Sequence, residues 1–175
     1  MYAPVFATAI AVFAFALFAQ AGLAKVRQPK AYRQPLSEYF GGVALGAWAP
    51  RVVGGLELLA AVAVVLPATR ASGGVLCGAL LLLYAVAMAR LVLRGRVDVR
   101  CGCSGPAAET RIAPELIARN LVAALPCASL VLVANAPVTT PALLTGMALG
   151  VVLVLAYLSG DQAIANRQRL QGWAS

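Results

Sequence analysis

Five apolar runs, at residues 5–24, 52–66, 74–93, 116–134 and 141–158, leave a chain of 175 residues few ways to fold. Each approaches the roughly 20 helical residues needed to cross a hydrocarbon layer about 30 Å thick. Hydrophobic residues make up 62% of the chain and charged ones 11%, which is too little charge to cover a water-soluble domain of this length. The runs are continuous and rich in Ala, Leu and Val rather than alternating polar and apolar, so helices are expected and barrel strands are not. The expectation is an all-α integral membrane bundle of five transmembrane helices. It forms a single domain over residues 1–175, with a basic tail at 159–175 and the lipid bilayer as its first partner.

Ala19-Gln20-Ala21 resembles a signal-peptide cleavage site. Residues 1–24 hold no Lys or Arg, so the basic start of a secretory signal is missing and a retained helix is expected. Charge then sets the topology, because basic residues collect in short cytoplasmic loops. Lys25, Arg27, Lys30, Arg33, Arg51, Arg94, Arg96, Arg100, Arg111, Arg167 and Arg169 fall on one side of a five-span chain, and Arg70 alone on the other. This pattern predicts a multi-pass protein of the cell (inner or plasma) membrane with its N-terminus outside and its C-terminus in the cytoplasm. The net charge of +8 is therefore read as a topology signal. Basic residues scattered among short loops, with no recognition module, argue against a nucleic-acid partner.

In the first loop, Pro29 and Pro35 read as breakers. Ser37 and Glu38 offer the start of a short interfacial helix carrying Tyr39, Phe40, Val43 and Trp48. Pro50 suits the first turn of the second span, and Pro114 with Glu115 the start of the fourth. Ionisable residues inside spans are costly in lipid and mark the bundle interior or its edge. Glu57, the only acid well inside an expected span, is expected to pair with Arg119, Arg90 or Lys25. Odd-numbered loops emerge together, so Lys25, Glu57, Arg90, Arg119 and Asn120 should gather at one end. Such a pair can lock helix register or support chemistry, and Arg90 can equally reach past the helix end to the interface.

The same end carries Arg100-Cys101-Gly102-Cys103-Ser104-Gly105. A Cys-x-Cys pair closes a disulfide only through a small strained ring, which Gly102 makes accessible, and strain eases reduction. Nearby cations would favour the thiolate, the attacking species. Cys101 and Cys103 are thus the candidate catalytic residues for thiol–disulfide exchange, with a purely structural pair and a copper(I) site as alternatives. No protein-held metal is expected otherwise, since the chain has no histidine and a closed zinc site needs four Cys or His ligands. Cys77 and Cys127 lie within spans, toward the opposite side, and read as small apolar fillers. No further cofactor is implied, although a quinone entering the bundle is not excluded.

Gly22-Leu23-Ala24-Lys25, Gly55-Leu56-Glu57, Cys101-Gly102-Cys103-Ser104-Gly105 and Arg119-Asn120-Leu121, in this order and in register with the spans, resemble the MauE-type methylamine-utilisation membrane proteins. These are grouped with the DoxX-like redox-associated membrane proteins, and the resemblance runs from about residue 5 to residue 158. Arg100 and Ser104 stand where acidic and bulky residues would be expected. The resemblance implies an accessory role in maturing an exported, disulfide-rich client enzyme subunit, that of methylamine dehydrogenase in the best-known case. It implies a thioredoxin-like redox partner, makes Cys101 and Cys103 the redox pair, and makes Lys25, Glu57, Arg119 and Asn120 a supporting polar cluster. An exported client would favour thiols on the outer face, whereas the charge pattern puts them in the cytoplasm. A non-catalytic assembly or anchoring subunit is the alternative function.

Overall fold

The computed structural model describes residues 2–96, 99, 111–134, 136–137 and 139–173. Its helices are α1 (Ala3–Arg27), α2 (Pro29–Tyr39), α3 (Trp48–Val65), α4 (Arg70–Leu93), α5 (Pro114–Val133) and α6 (Thr140–Trp173), with a 3₁₀ turn at Pro67–Thr69. Five of them, all but α2, are long and apolar enough to cross a membrane. The chain is an all-α bundle, and no strand element occurs among the described residues.

Glycine decides where these helices touch, because lipid supplies no hydrophobic drive between them and close backbone approach must do the work instead. α1 packs against each of the other four spans. A methyl group on Gly22 of α1 would lie 2.7 Å from the Gly54 carbonyl oxygen of α3, and one on Gly54 would meet the Gly22 carbonyl at the same distance. The two helices therefore cross backbone to backbone. α4 meets α5 in the same way, with Gly74 against the Cys127 carbonyl. Gly146 and Gly150 seat α6 on Thr8 and Val12 of α1. Phe13, Phe18, Ala60, Val64, Leu81 and Leu130 fill the interior between these contacts. Cys77 and Cys127 are buried there as free thiols.

One sequence expectation needs correction. The interfacial helix does not start at Ser37: α2 runs from Pro29 to Tyr39, ending soon after that point. Pro29 sits in its first turn, where a missing N–H costs nothing, and Pro35 lies inside it at the cost of one backbone bond. The helix stops at Gly41 and Gly42, whose φ of 79° and 86° lets the Gly42 N–H reach back to the Ser37 carbonyl at 2.8 Å. That bond satisfies a carbonyl the helix end would otherwise leave open. The basic tail continues the helix of the fifth span through its described residues. α6 is one helix of 34 residues, about 51 Å long at 1.5 Å per residue, so roughly 20 Å of it extends beyond a 30 Å hydrocarbon layer. No proline follows Pro141, and α6 runs on through Ser159 and Gly160 without a break.

Neighbouring glycines give a matched test. Gly54→Ala should destabilise the bundle by about 1–3 kcal/mol through overpacking. Gly55→Ala, where an added methyl meets nothing within 4 Å, should leave it unchanged or slightly more stable. Thermal unfolding of both variants in detergent micelles, followed by circular dichroism, measures the difference.

Candidate functional site

The C-terminal ends of α1, α4 and α6 and the N-terminal ends of α3 and α5 share one end of the bundle, and the costly polar groups collect there. Lys25, in the last turn of α1, donates from Nζ to both carboxylate oxygens of Glu57 on α3, at 2.8 and 2.9 Å. Glu57 is fully buried and Lys25 is 5% exposed. The Tyr84 hydroxyl of α4 donates to Glu57 Oε1 at 2.5 Å. The ammonium also lies 5.5 Å from the ring centre of Tyr32 on α2 and 5.6 Å from that of Tyr84. A carboxylate with three charge-assisted donors and a lysine between two π faces is a compensated buried pair. It ties four helices at one level.

A second ion pair lies at the same end. Arg119 of α5 bonds Asp161 of α6 and stacks its guanidinium 4.7 Å from the Tyr157 ring centre. Asn120, 1% exposed, accepts from Arg119 Nη2 at 3.4 Å. Of the three partners expected for Glu57, the structure selects Lys25. Arg119 turns instead to Asp161, and Arg90 is exposed at the end of α4, outside the cluster. Glu57 is accordingly not the only acid in a spanning helix.

Tyr84 and Asp161 were missed from sequence. A tyrosine in an apolar run carries no charge to flag it, and its role appears only once α3 and α4 are paired. Asp161 was assigned to the tail because the apolar run ends at Leu158. Its spacing of four from Tyr157 on an unbroken helix was the available signal.

Cys101 and Cys103 lie outside the described residues, but the chain on either side of them is described. The Ile112 N–H bonds the Val99 carbonyl at 3.0 Å. Gln168, on the overhanging part of α6, holds Arg111 with two bonds: its Oε1 accepts from the Arg111 N–H at 2.9 Å, and its Nε2 donates to the Arg111 carbonyl at 3.0 Å. Arg96 pairs with Glu38 of α2 at 2.6 Å. Beneath, Ile112, Leu116, Met88, Leu91 and Tyr84 form an apolar cluster, with Val99, Tyr39, Val53 and Ile164 packed against it. The root of the thiol-bearing loop thus rests on a cap drawn from α2 through α6. Tyr84 joins that cap to Glu57.

The family model for methylamine utilisation protein MauE matches residues 3–134. A methylamine utilization protein MauE of Paracoccus denitrificans is 33% identical over 170 residues, covering 90% of this chain and 87% of the relative. One of Methylorubrum extorquens is 33% identical over 182 residues, covering 95% and 94%. One of Paracoccus versutus is 42% identical over 81 residues, covering 45% and 43%. No solved structure matches the chain.

If the buried pair works as described, removing one partner should cost far more than removing both. Glu57→Leu and Lys25→Met should each lower stability by about 3–5 kcal/mol, because each strands a buried charge. The double variant should recover most of that loss. A double-mutant cycle on unfolding in detergent gives the coupling directly.

Proposed function

Because the chain belongs to the MauE family of methylamine utilisation proteins, we propose that it acts as a membrane-embedded thiol–disulfide accessory protein. Its client is an enzyme subunit that needs disulfide formation or cofactor maturation, and its redox partner is a thioredoxin-like protein. The carrying observation is that the loop root, Val99 to Ile112, is closed on itself and seated on the apolar cap joined to the polar cluster through Tyr84. Chain geometry alone keeps the Cα of Cys101 within about 7 Å of Val99, and that of Cys103 within about 14 Å.

In the proposed cycle one thiolate of the Cys101–Cys103 pair attacks a disulfide of the partner. The partner's S–S bond breaks, a mixed disulfide forms, and the departing sulfur takes up a proton. The second cysteine, as thiolate, then attacks the mixed disulfide. The partner leaves with both sulfurs reduced, and Cys101 and Cys103 carry the disulfide. Two electrons pass to the partner, and a second dithiol returns the pair to its starting state.

The polar cluster has a different part in this reading. Lys25 is neutralised by Glu57, and Arg119 by Asp161, so neither supplies a net positive field to a thiolate. They hold the helix ends in register. Exposed Arg94 at the loop root remains to favour the thiolate. The same register-locking pairs would serve a non-catalytic assembly subunit, which is the competing reading. We place the loop on the cytoplasmic side, on the strength of the eleven basic residues at that end.

Trapping separates the two readings. Cys103→Ala or Cys101→Ala should accumulate a reducible mixed disulfide with a thioredoxin-like protein on non-reducing gels, and both should lose maturation activity. Full activity in both single variants with no trapped species would leave the assembly reading. Labelling Cys101 and Cys103 in intact cells with an impermeant maleimide reads the orientation, with no labelling expected until the membrane is opened.

A further inference from the structure

The described acidic side chains are all spoken for, and the pairing is uneven across the basic end. Glu57 is bonded to Lys25, Glu38 to Arg96, Asp161 to Arg119 and Glu115 to Arg167. Every one of these bases except Lys25 lies on α5, α6 or the loop root. At the corner where α1 ends, α2 begins and α3 begins, Arg27, Lys30, Arg33 and Arg51 are exposed, and none has an acidic partner among the described residues. Arg33 uses its Nε on the Leu45 carbonyl at 3.0 Å, which points its guanidinium across the α2–α3 connection.

This corner also has an apolar component. Trp48, in the first turn of α3, is 64% exposed and Phe40 is 59% exposed. The Trp48 ring folds back over Gly46, where an added methyl would lie 2.6 Å from its Cδ1. Arg51 is one turn from Trp48 on the same helix. Amphipathic rings settle at headgroup depth, so these cations stand at the level of lipid phosphates, beside the acyl region. Guanidinium groups suit phosphate oxygens in geometry as well as charge.

We propose that the α1–α2–α3 corner is a binding site for the headgroup of an anionic phospholipid, held by Arg27, Lys30, Arg33 and Arg51 with Trp48 against its glycerol and upper acyl chains. The site is separate from the thiol chemistry and does not depend on it. An anionic lipid there would neutralise a set of like charges that no described acidic side chain compensates, and would fix α2 over Lys25.

The chain has two tryptophans, so Trp173→Phe leaves Trp48 as a fluorescent reporter inside the proposed site. The full chain is reconstituted in phosphatidylcholine vesicles, and quenching by brominated phosphatidylglycerol is compared with quenching by brominated phosphatidylcholine. Half-quenching is expected at a roughly tenfold lower mole fraction of the anionic lipid, with the preference shrinking as salt is raised. Arg27→Gln, Lys30→Gln and Arg51→Gln together should abolish the preference, whereas Arg94→Gln with Arg169→Gln should keep it. If the triple variant loses helicity by circular dichroism, the single substitutions carry the test, each lowering the preference by about twofold. Equal quenching by the two lipids, or a preference that survives these substitutions, overturns the proposal. So does loss of the preference on adding inorganic phosphate at matched ionic strength, which would reveal a free-phosphate site.

Discussion

A buried lysine and a buried glutamate hold this bundle in one arrangement. In lipid neither charge can be left alone, and Lys25 and Glu57 solve each other's problem only if α1 and α3 cross at a single register. Gly22 and Gly54 allow that crossing by letting the backbones touch. Tyr84 then brings in α4 by its hydroxyl, and Tyr32 brings in α2 by its ring. Apolar packing between helices in lipid is weakly directional, so this polar contact supplies the specificity that leucines and valines cannot.

The second pair extends the same logic to the outermost helix. α6 packs chiefly along α1, with Gly146 and Gly150 seated on Thr8 and Val12. Arg119 and Asp161 add a charged tie from α6 to α5. About two turns farther along the same helix, Gln168 bonds Arg111.

Much of this was legible in the residues. Long apolar runs gave the five spans, and the prolines at 50 and 114 fall in first helical turns. The odd-loop argument brought Lys25 and Glu57 to one end. What could not be read was choice among equals: Lys25, Arg90 and Arg119 offered Glu57 the same charge, and only the packing of α1 on α3 decides between them. The start of α2 was misread for one reason: Pro29 and Pro35 read as breakers, yet Pro29 lies in the first turn of α2 and Pro35 inside it. Helix α6 continues through Gly160 with no proline to end it, and α2 forms because Tyr32 and Leu36 have an interior to face. Hydropathy locates membrane depth better than it locates helix ends.

The central claim is that the root of the thiol-bearing loop stands on an apolar cap that Tyr84 ties to the polar cluster. Hydrogen exchange at the Ile112 amide, whose N–H bonds Val99, tests this most directly when wild type is compared with Glu57→Gln. The account predicts slow exchange in the wild type and a marked acceleration in the variant. The Leu66 amide, at the opposite end of α3, should be unaffected. Unchanged exchange at Ile112 with the pair disrupted would mean that the loop root is supported independently, and would contradict the account.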